Sequence, residues 1–103
     1  MKQHKIGATL DWAAPVQIGD DYPDLSDWVA TSTLRGRGFA AALSCALTFT
    51  QGKTILRVSA SADRQSDWKP GEAAVDVRLE SPDGVVLISP TAQLCLVKPV
   101  TEP

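Results

Sequence analysis

Between Ala73 and Glu80 the chain alternates, with Ala73, Val75, Val77 and Leu79 set against Ala74, Asp76, Arg78 and Glu80. A period of two places the first set on one face of a β-strand and the second on the other, so the segment is a half-buried strand. Turn-forming clusters punctuate the rest of the chain at strand-length intervals: Gly36-Arg37-Gly38, Gln51-Gly52, Pro70-Gly71 and Pro82-Asp83-Gly84. Between them lie runs rich in Val, Ile, Thr and Leu, read as strands over Ile6 to Trp12, Trp28 to Leu34, Lys53 to Ser61, Val85 to Ile88 and Thr91 to Val97. Ser89-Pro90 separates the last two, because proline cannot donate to a ladder and marks a kink or an edge.

Phe39 to Phe49 supports two patterns. Phe39, Leu43 and Leu47 fall at helical spacing, whereas Leu43, Cys45, Leu47 and Phe49 alternate. A hairpin through Gln51-Gly52 to the next run favours the strand. The one helical piece expected is a short turn over Ala62 to Asp67, with Ser61 at its N-cap. About seven strands with regular turns give an all-β fold, an antiparallel immunoglobulin-like β-sandwich with one short helical turn. At 103 residues the chain, 1–103, holds a single domain. Its expected core includes Trp28, Trp68, Val75, Val77, Leu79 and Leu94, with Trp68 capping the helical turn against the sheet. Pro70-Gly71 sets the turn into the following strand. By period Asp76 faces outward, where it caps a loop or pairs with Arg57 or Arg78.

Several function classes lose ground on composition. A net charge of −2 does not suit a nucleic-acid binder. No apolar stretch follows Lys2 and Lys5 as a signal peptide requires, and Phe39 to Phe49 is too short to cross a bilayer. The chain contains no asparagine, hence no N-glycosylation acceptor. Cys45 and Cys95 are expected as free thiols of a reducing compartment, and with the single histidine they do not make a zinc site. No metal or other cofactor is expected.

Two motifs look catalytic. Gly52-Lys53-Thr54 ends like a phosphate-binding loop, but Leu47 stands where the signature needs glycine and a strand follows. Ser66-Asp67-Trp68-Lys69 has serine–lysine spacing, but Pro70 breaks the helix that would hold the pair. His4, on what is expected to be a loose N-terminus, leaves no Ser-His-Asp relay. A non-enzymatic role is therefore expected.

Charge is segregated along the chain. Asp11, Asp20, Asp21, Asp24 and Asp27 lie in a stretch without lysine or arginine, and Arg35, Arg37, Lys53 and Arg57 lie in one without acids. A solvated loop, a calcium loop, pairing within the domain and pairing between subunits all fit this pattern. If the chain forms oligomers, Arg35 and Arg37 are expected to meet the Asp20 to Asp27 loop. Trp12, Trp28 and Trp68 are three tryptophans among six aromatics, and could form a sugar-stacking platform or part of the core.

A string of short motifs runs through most of the chain: Asp24-Leu25-Ser26-Asp27-Trp28, Leu34-Arg35, Leu56-Arg57-Val58-Ser59-Ala60, Trp68-Lys69-Pro70-Gly71, Val75-Asp76-Val77-Arg78-Leu79, Pro82-Asp83-Gly84 and Pro99-Val100-Thr101. It resembles small phage and prophage structural β-sandwich proteins, and is similar to the N-terminal domain of phage baseplate upper proteins. The resemblance implies a structural protein of the virion, in the tail or baseplate region. Such a protein is made in the bacterial cytoplasm and assembled with other phage structural proteins or with copies of itself. Because those baseplate proteins carry the domain at the head of a longer chain, a free-standing accessory component is expected here. A carbohydrate-binding module at a tail tip and a host-directed inhibitor are the alternatives.

Overall fold

The computed structural model describes residues 2–100; Thr101 of the motif string lies outside them. The fold is all-β, with eight strands in chain order: β1 (Lys2–Lys5), β2 (Leu10–Pro15), β3 (Val29–Gly36), β4 (Phe39–Thr50), β5 (Lys53–Ala60), β6 (Gly71–Glu80), β7 (Val86–Ile88) and β8 (Ala92–Val97). A single 3₁₀ turn, Ala62–Gln65, links β5 to β6. The strands form one connected sheet in the order β1-β8-β6-β3-β4-β5-β2, with β7 also on β6. Every ladder is antiparallel except β1 with β8, which is parallel, so the sheet is mixed. It folds over on itself and is nearly barrel-like rather than clearly a two-sheet sandwich.

The fold-over happens along β4. Its first half, Phe39 to Leu43, pairs with β3, and its second half, Ser44 to Thr50, pairs with β5. Strands that serve two layers turn the corner by bending. The strand alternation is the one realised: Leu43, Cys45 and Leu47, with Phe39 and Ala41 before them, share the inner face with Leu34, Leu56 and Val58 of the neighbouring strands, whereas Phe49 at the end of the series is exposed. Against β6, the register moves by one residue between Arg78↔Ile88 and Val75↔Ala92. This is a β-bulge at Pro90-Thr91, and it accounts for the break between β7 and β8. Ser89 fills the gap, donating its N–H to Val77 O and accepting the Val77 N–H on Oγ, each at 2.9 Å.

Of the expected core, Trp68, Val77 and Leu79 are buried, whereas Trp28, Val75 and Leu94 are half-buried. Of the early strand expected over Ile6 to Trp12, residues 6–9 are instead the turn between β1 and β2, with Gly7 at φ 96°, and only Leu10 to Trp12 are strand. His4 is not on a loose tail but in β1. Ser61 makes no side-chain cap bond to the 3₁₀ turn; its hydroxyl serves Asp63, helping hold that carboxyl below its ordinary pKa. Asp76 sits on the outer face and takes neither expected arginine, since Arg57 pairs with Asp11 and Arg78 with Glu80.

Two buried polar side chains pin the ends of the domain. Gln65 is 1% exposed. Its Oε1 accepts the Gly7 N–H at 2.9 Å and faces His4 Nε2 at 3.1 Å. Its Nε2 donates to Ala8 O at 2.7 Å. At the other end, Thr54 Oγ1 accepts the Leu25 N–H at 2.8 Å and donates to Pro23 O at 2.9 Å. Trp68 covers the Gln65 end, stacked on Phe39 at 6.3 Å and tilted against His4 at 5.9 Å. Gly36 makes room for that stack, because a Cβ there would stand 2.1 Å from the Phe39 ring.

Gln65→Leu should lower unfolding free energy by about 3 kcal/mol, because it leaves the Gly7 and Ala8 backbone groups without partners. Denaturant unfolding checks this, and a loss under about 1 kcal/mol would remove Gln65 as a pin. Gln51 adopts φ 50° in the β4–β5 turn, a conformation asparagine tolerates better than glutamine. Gln51→Asn should therefore raise the thermal midpoint, with a gain of up to about 1 kcal/mol.

Candidate functional sites

Arg35 and Arg37 stand at the opposite end of the domain from Asp20, Asp21, Asp24 and Asp27, whereas Arg57 pairs with Asp11 and Lys53 lies beside the acidic loop. Arg35 ends β3 and Arg37 lies in the two-residue turn before β4; both are exposed. Lys69 reaches the same turn, with Nζ 3.4 Å from where a Cβ on Gly38 would be. β4 then runs twelve residues away from this turn, bending where it passes from β3 to β5. The acidic loop lies beside its far end. Val16 N–H donates to Thr54 O, and the Thr54 hydroxyl holds Leu25, which is buried between the acidic residues. Asp20, Asp21, Asp24 and Asp27 are all exposed around that anchor. The described residues extend 42 × 26 × 23 Å, so the poles are far apart for a domain of this size.

Among the described residues one ion pair links the two charge blocks, Arg57 with Asp11, as pairing within the domain would have it, and none joins Arg35 or Arg37 to Asp20, Asp21, Asp24 or Asp27. The pairs formed are Arg57 with Asp11 across β2 and β5, and Arg78 with Glu80 along β6. Arg57 Nε donates to Asp11 Oδ1 at 2.8 Å and the guanidinium also reaches Oδ2, which holds the Asp11 carboxyl below the ordinary carboxylate range. Asp24 Oδ1 accepts the Ser26 N–H at 3.0 Å, and the contact with Ser26 lowers its pKa. The poles are not of pure sign: Asp63, Asp67 and Glu72 belong to the basic end, and Lys53 lies over the Tyr22 ring at 4.5 Å at the acidic end. Among the described residues no three His, Cys, Asp or Glu side chains gather as a metal-binding group. No helix there is long and apolar enough to cross a membrane.

A second feature is an open cleft of about 820 Å³ between β1 and β8 on one side and β2 on the other. No ladder joins β1 to β2, so both strands present a free backbone edge. The walls are the inner faces of both halves of the sheet: Leu34, Leu43, Leu56, Val58, Val77 and Leu94. Lys2, opposite Leu94, is the charged residue whose register places it on the inner face there, whereas Gln3, Asp76 and Gln93 border the cleft from outer-face positions. Trp12 stands opposite Val58 in the ladder and so shares the inner face, yet it is 45% exposed because nothing covers the β2 edge. Val75 and Leu94, expected in the core, line this cleft, which is why they are only half-buried.

Sequence reasoning missed Gln65, Thr54 and Leu25, and did not connect Trp12 to a cleft. A lone leucine within an aspartate-rich loop was a signal for Leu25, and a β-branched hydroxyl in an apolar run was one for Thr54. Of the three tryptophans only Trp12 is exposed, so they do not form a paired stacking platform. The motifs Gly52-Lys53-Thr54 and Ser66 to Lys69 fall in a hairpin and in the link after the 3₁₀ turn. His4 is engaged by Gln65.

Cys45 and Cys95 are both free thiols. Cys45 shares the inner face with Val58, and Cys95 is paired with Gln3 and Glu72 on the outer face, so the fold holds them apart. Partial burial pushes the Cys45 thiol pKa up. At pH 8 iodoacetamide should therefore modify Cys45 more slowly than an unhindered peptide thiol; an equal rate by mass spectrometry would contradict its placement.

No protein-family model matches the chain, and no curated protein matches it either.

Proposed function

We propose that this chain is a non-catalytic structural subunit of a phage or prophage particle, in the tail or baseplate region, that works by protein–protein association. The placement in a virion rests on the motif string from Asp24 to Thr101. The observation that carries the association is the separation of exposed, unpaired opposite charges to the two ends of an elongated domain. Complementary patches on opposite ends favour contact between unlike surfaces. Such head-to-tail contacts generate rings where the rotation closes and filaments where it does not. Arg35 and Arg37 of one subunit then meet Asp20, Asp21, Asp24 and Asp27 of the next, or equivalent acids on another particle protein. An immunoglobulin-like description of the fold goes with this reading, with β4 passing from one layer to the other. Synthesis takes place in the bacterial cytoplasm, and assembly into the virion follows.

The test is light scattering behind size exclusion over a concentration series, at low and high salt. Exposed charges farther apart than about 10 Å are screened at 0.1 M salt, so association should be strong in dilute buffer and fall as salt rises. Arg35→Glu with Arg37→Glu should abolish association while leaving the circular dichroism spectrum and thermal midpoint unchanged. A monomer under every condition, or association undiminished in the double variant, would contradict the pole-to-pole contact.

A further inference from the structure

We propose that β7 is a pairing edge for a second copy of this chain, the two β7 strands lying antiparallel across a two-fold axis at Leu87. Among the described residues β1, β2 and β7 each keep a free backbone edge, β7 being laddered on β6 alone. Edge strands are ordinarily guarded by charge or proline. β1 carries Lys2 and Lys5, and β2 carries Asp11 and Pro15. Val85-Val86-Leu87-Ile88 carries neither guard.

The ladder fixes which backbone groups are open. Ser81 N–H donates to Val85 O and Ser89 N–H to Val77 O, each at 2.9 Å. Backbone groups of an antiparallel strand face its two sides in alternation. Residues 85, 87 and 89 therefore turn theirs toward β6, and Val86 and Ile88 turn theirs away. The side chains of Val86 and Ile88 stand on the outer face beside Glu80 and Arg78, 40% and 65% exposed. Val29, across Glu80 from Val86, extends this apolar surface. Glu80 and Arg78 pair with each other, so they add no net charge to it.

The same geometry selects the occupant. The open stretch is bounded by Gly84, whose N–H is spent on Ser81 O, and by Pro90, which has no N–H. Only a strand as short as β7 fits between these limits, and β7 complements itself. With the axis at Leu87, Val86 of each copy exchanges both backbone bonds with Ile88 of the other, and each valine side chain lies beside an isoleucine. This register carries Asp83 of each copy toward the start of β1 in the other, where Lys2 is exposed, so unlike charges flank the ladder. A contact this short falls far below the roughly 20–30 residues a side of a stable interface. The dimer therefore forms in millimolar solution, a level reached by neighbours held together in an assembly.

Translational diffusion and amide hydrogen exchange of the full chain are followed by nuclear magnetic resonance from micromolar to millimolar concentration. High salt screens contact through the charged ends. Diffusion should slow toward that of a dimer as concentration rises. The Val86 and Ile88 amides should exchange freely in dilute solution and slow in proportion to the dimer fraction, while Leu87, which faces β6, should not change. Ile88→Lys should lower the association constant about tenfold or more without moving the thermal midpoint of the dilute protein. Val86→Pro, which removes an N–H that the single chain does not use, should do the same to association. Arg35→Glu with Arg37→Glu should leave this dimer intact, which separates it from contact through the charged ends. A monomer at millimolar concentration, unchanged exchange at Val86 and Ile88 in a dimer, or a dimer undiminished by Ile88→Lys would overturn the pairing.

Discussion

Strand β4 has to satisfy different neighbours along its length, and the architecture follows from how it does so. Up to Leu43 it is a partner of β3; from Ser44 it is a partner of β5. A strand that serves both layers must bend, and the composition of β4 permits it. Ala40, Ala41, Ala42 and Ala46 put little side chain where the sheet folds over. The bend brings Leu34 and Val77 of one half over Leu56 and Val58 of the other, which creates the core. Because the sheet folds without completing its circuit, β1 and β2 are left as facing edges, and the cleft between them is the consequence.

The two polar pins make sense against that incompleteness. A sheet whose edges do not meet needs something other than ladder bonds to hold its ends. Gln65 does this at one end, gathering β1, the β1–β2 turn and the 3₁₀ turn on one side-chain amide. Thr54 does it at the other, fastening the acidic loop to β5. A buried amide or hydroxyl is costly when unpaired and specific when paired. These bonds therefore fix the register of the ends. The acidic loop inherits its position from Thr54 and Leu25, so the charge separation is a property of the fold rather than of a floating segment.

Much of the strand content was legible in the sequence, because it rests on local rules. The alternation over Ala73 to Glu80, the Gln51-Gly52 hairpin and the Ser89-Pro90 break all appear where periodicity and turn chemistry put them. The brief helical turn near Ala62 does too, although without its cap. What could not be read is what depends on contacts distant in sequence. The parallel pairing of β1 with β8 joins the first strand to the last, and no local pattern encodes it. Gln65 looks like any surface glutamine until Gly7 and Ala8 arrive beside it. Trp28, Val75 and Leu94 looked fully buried because alternation reports which face a residue takes, not whether that face is covered. The charge blocks were visible as composition, but only the fold shows that Arg35 and Arg37 stand away from the Asp20 to Asp27 loop while Arg57 and Asp11 come together.

The association mode has a direct geometric signature in small-angle X-ray scattering at low salt. End-to-end contact predicts a maximum dimension that grows by close to one long axis, 42 Å, for each added subunit. The cross-sectional radius should stay that of the monomer, and high salt should return the single-subunit curve. Assemblies that thicken without lengthening would place the contact on the sides of the domain, and would contradict the role given to its charged ends.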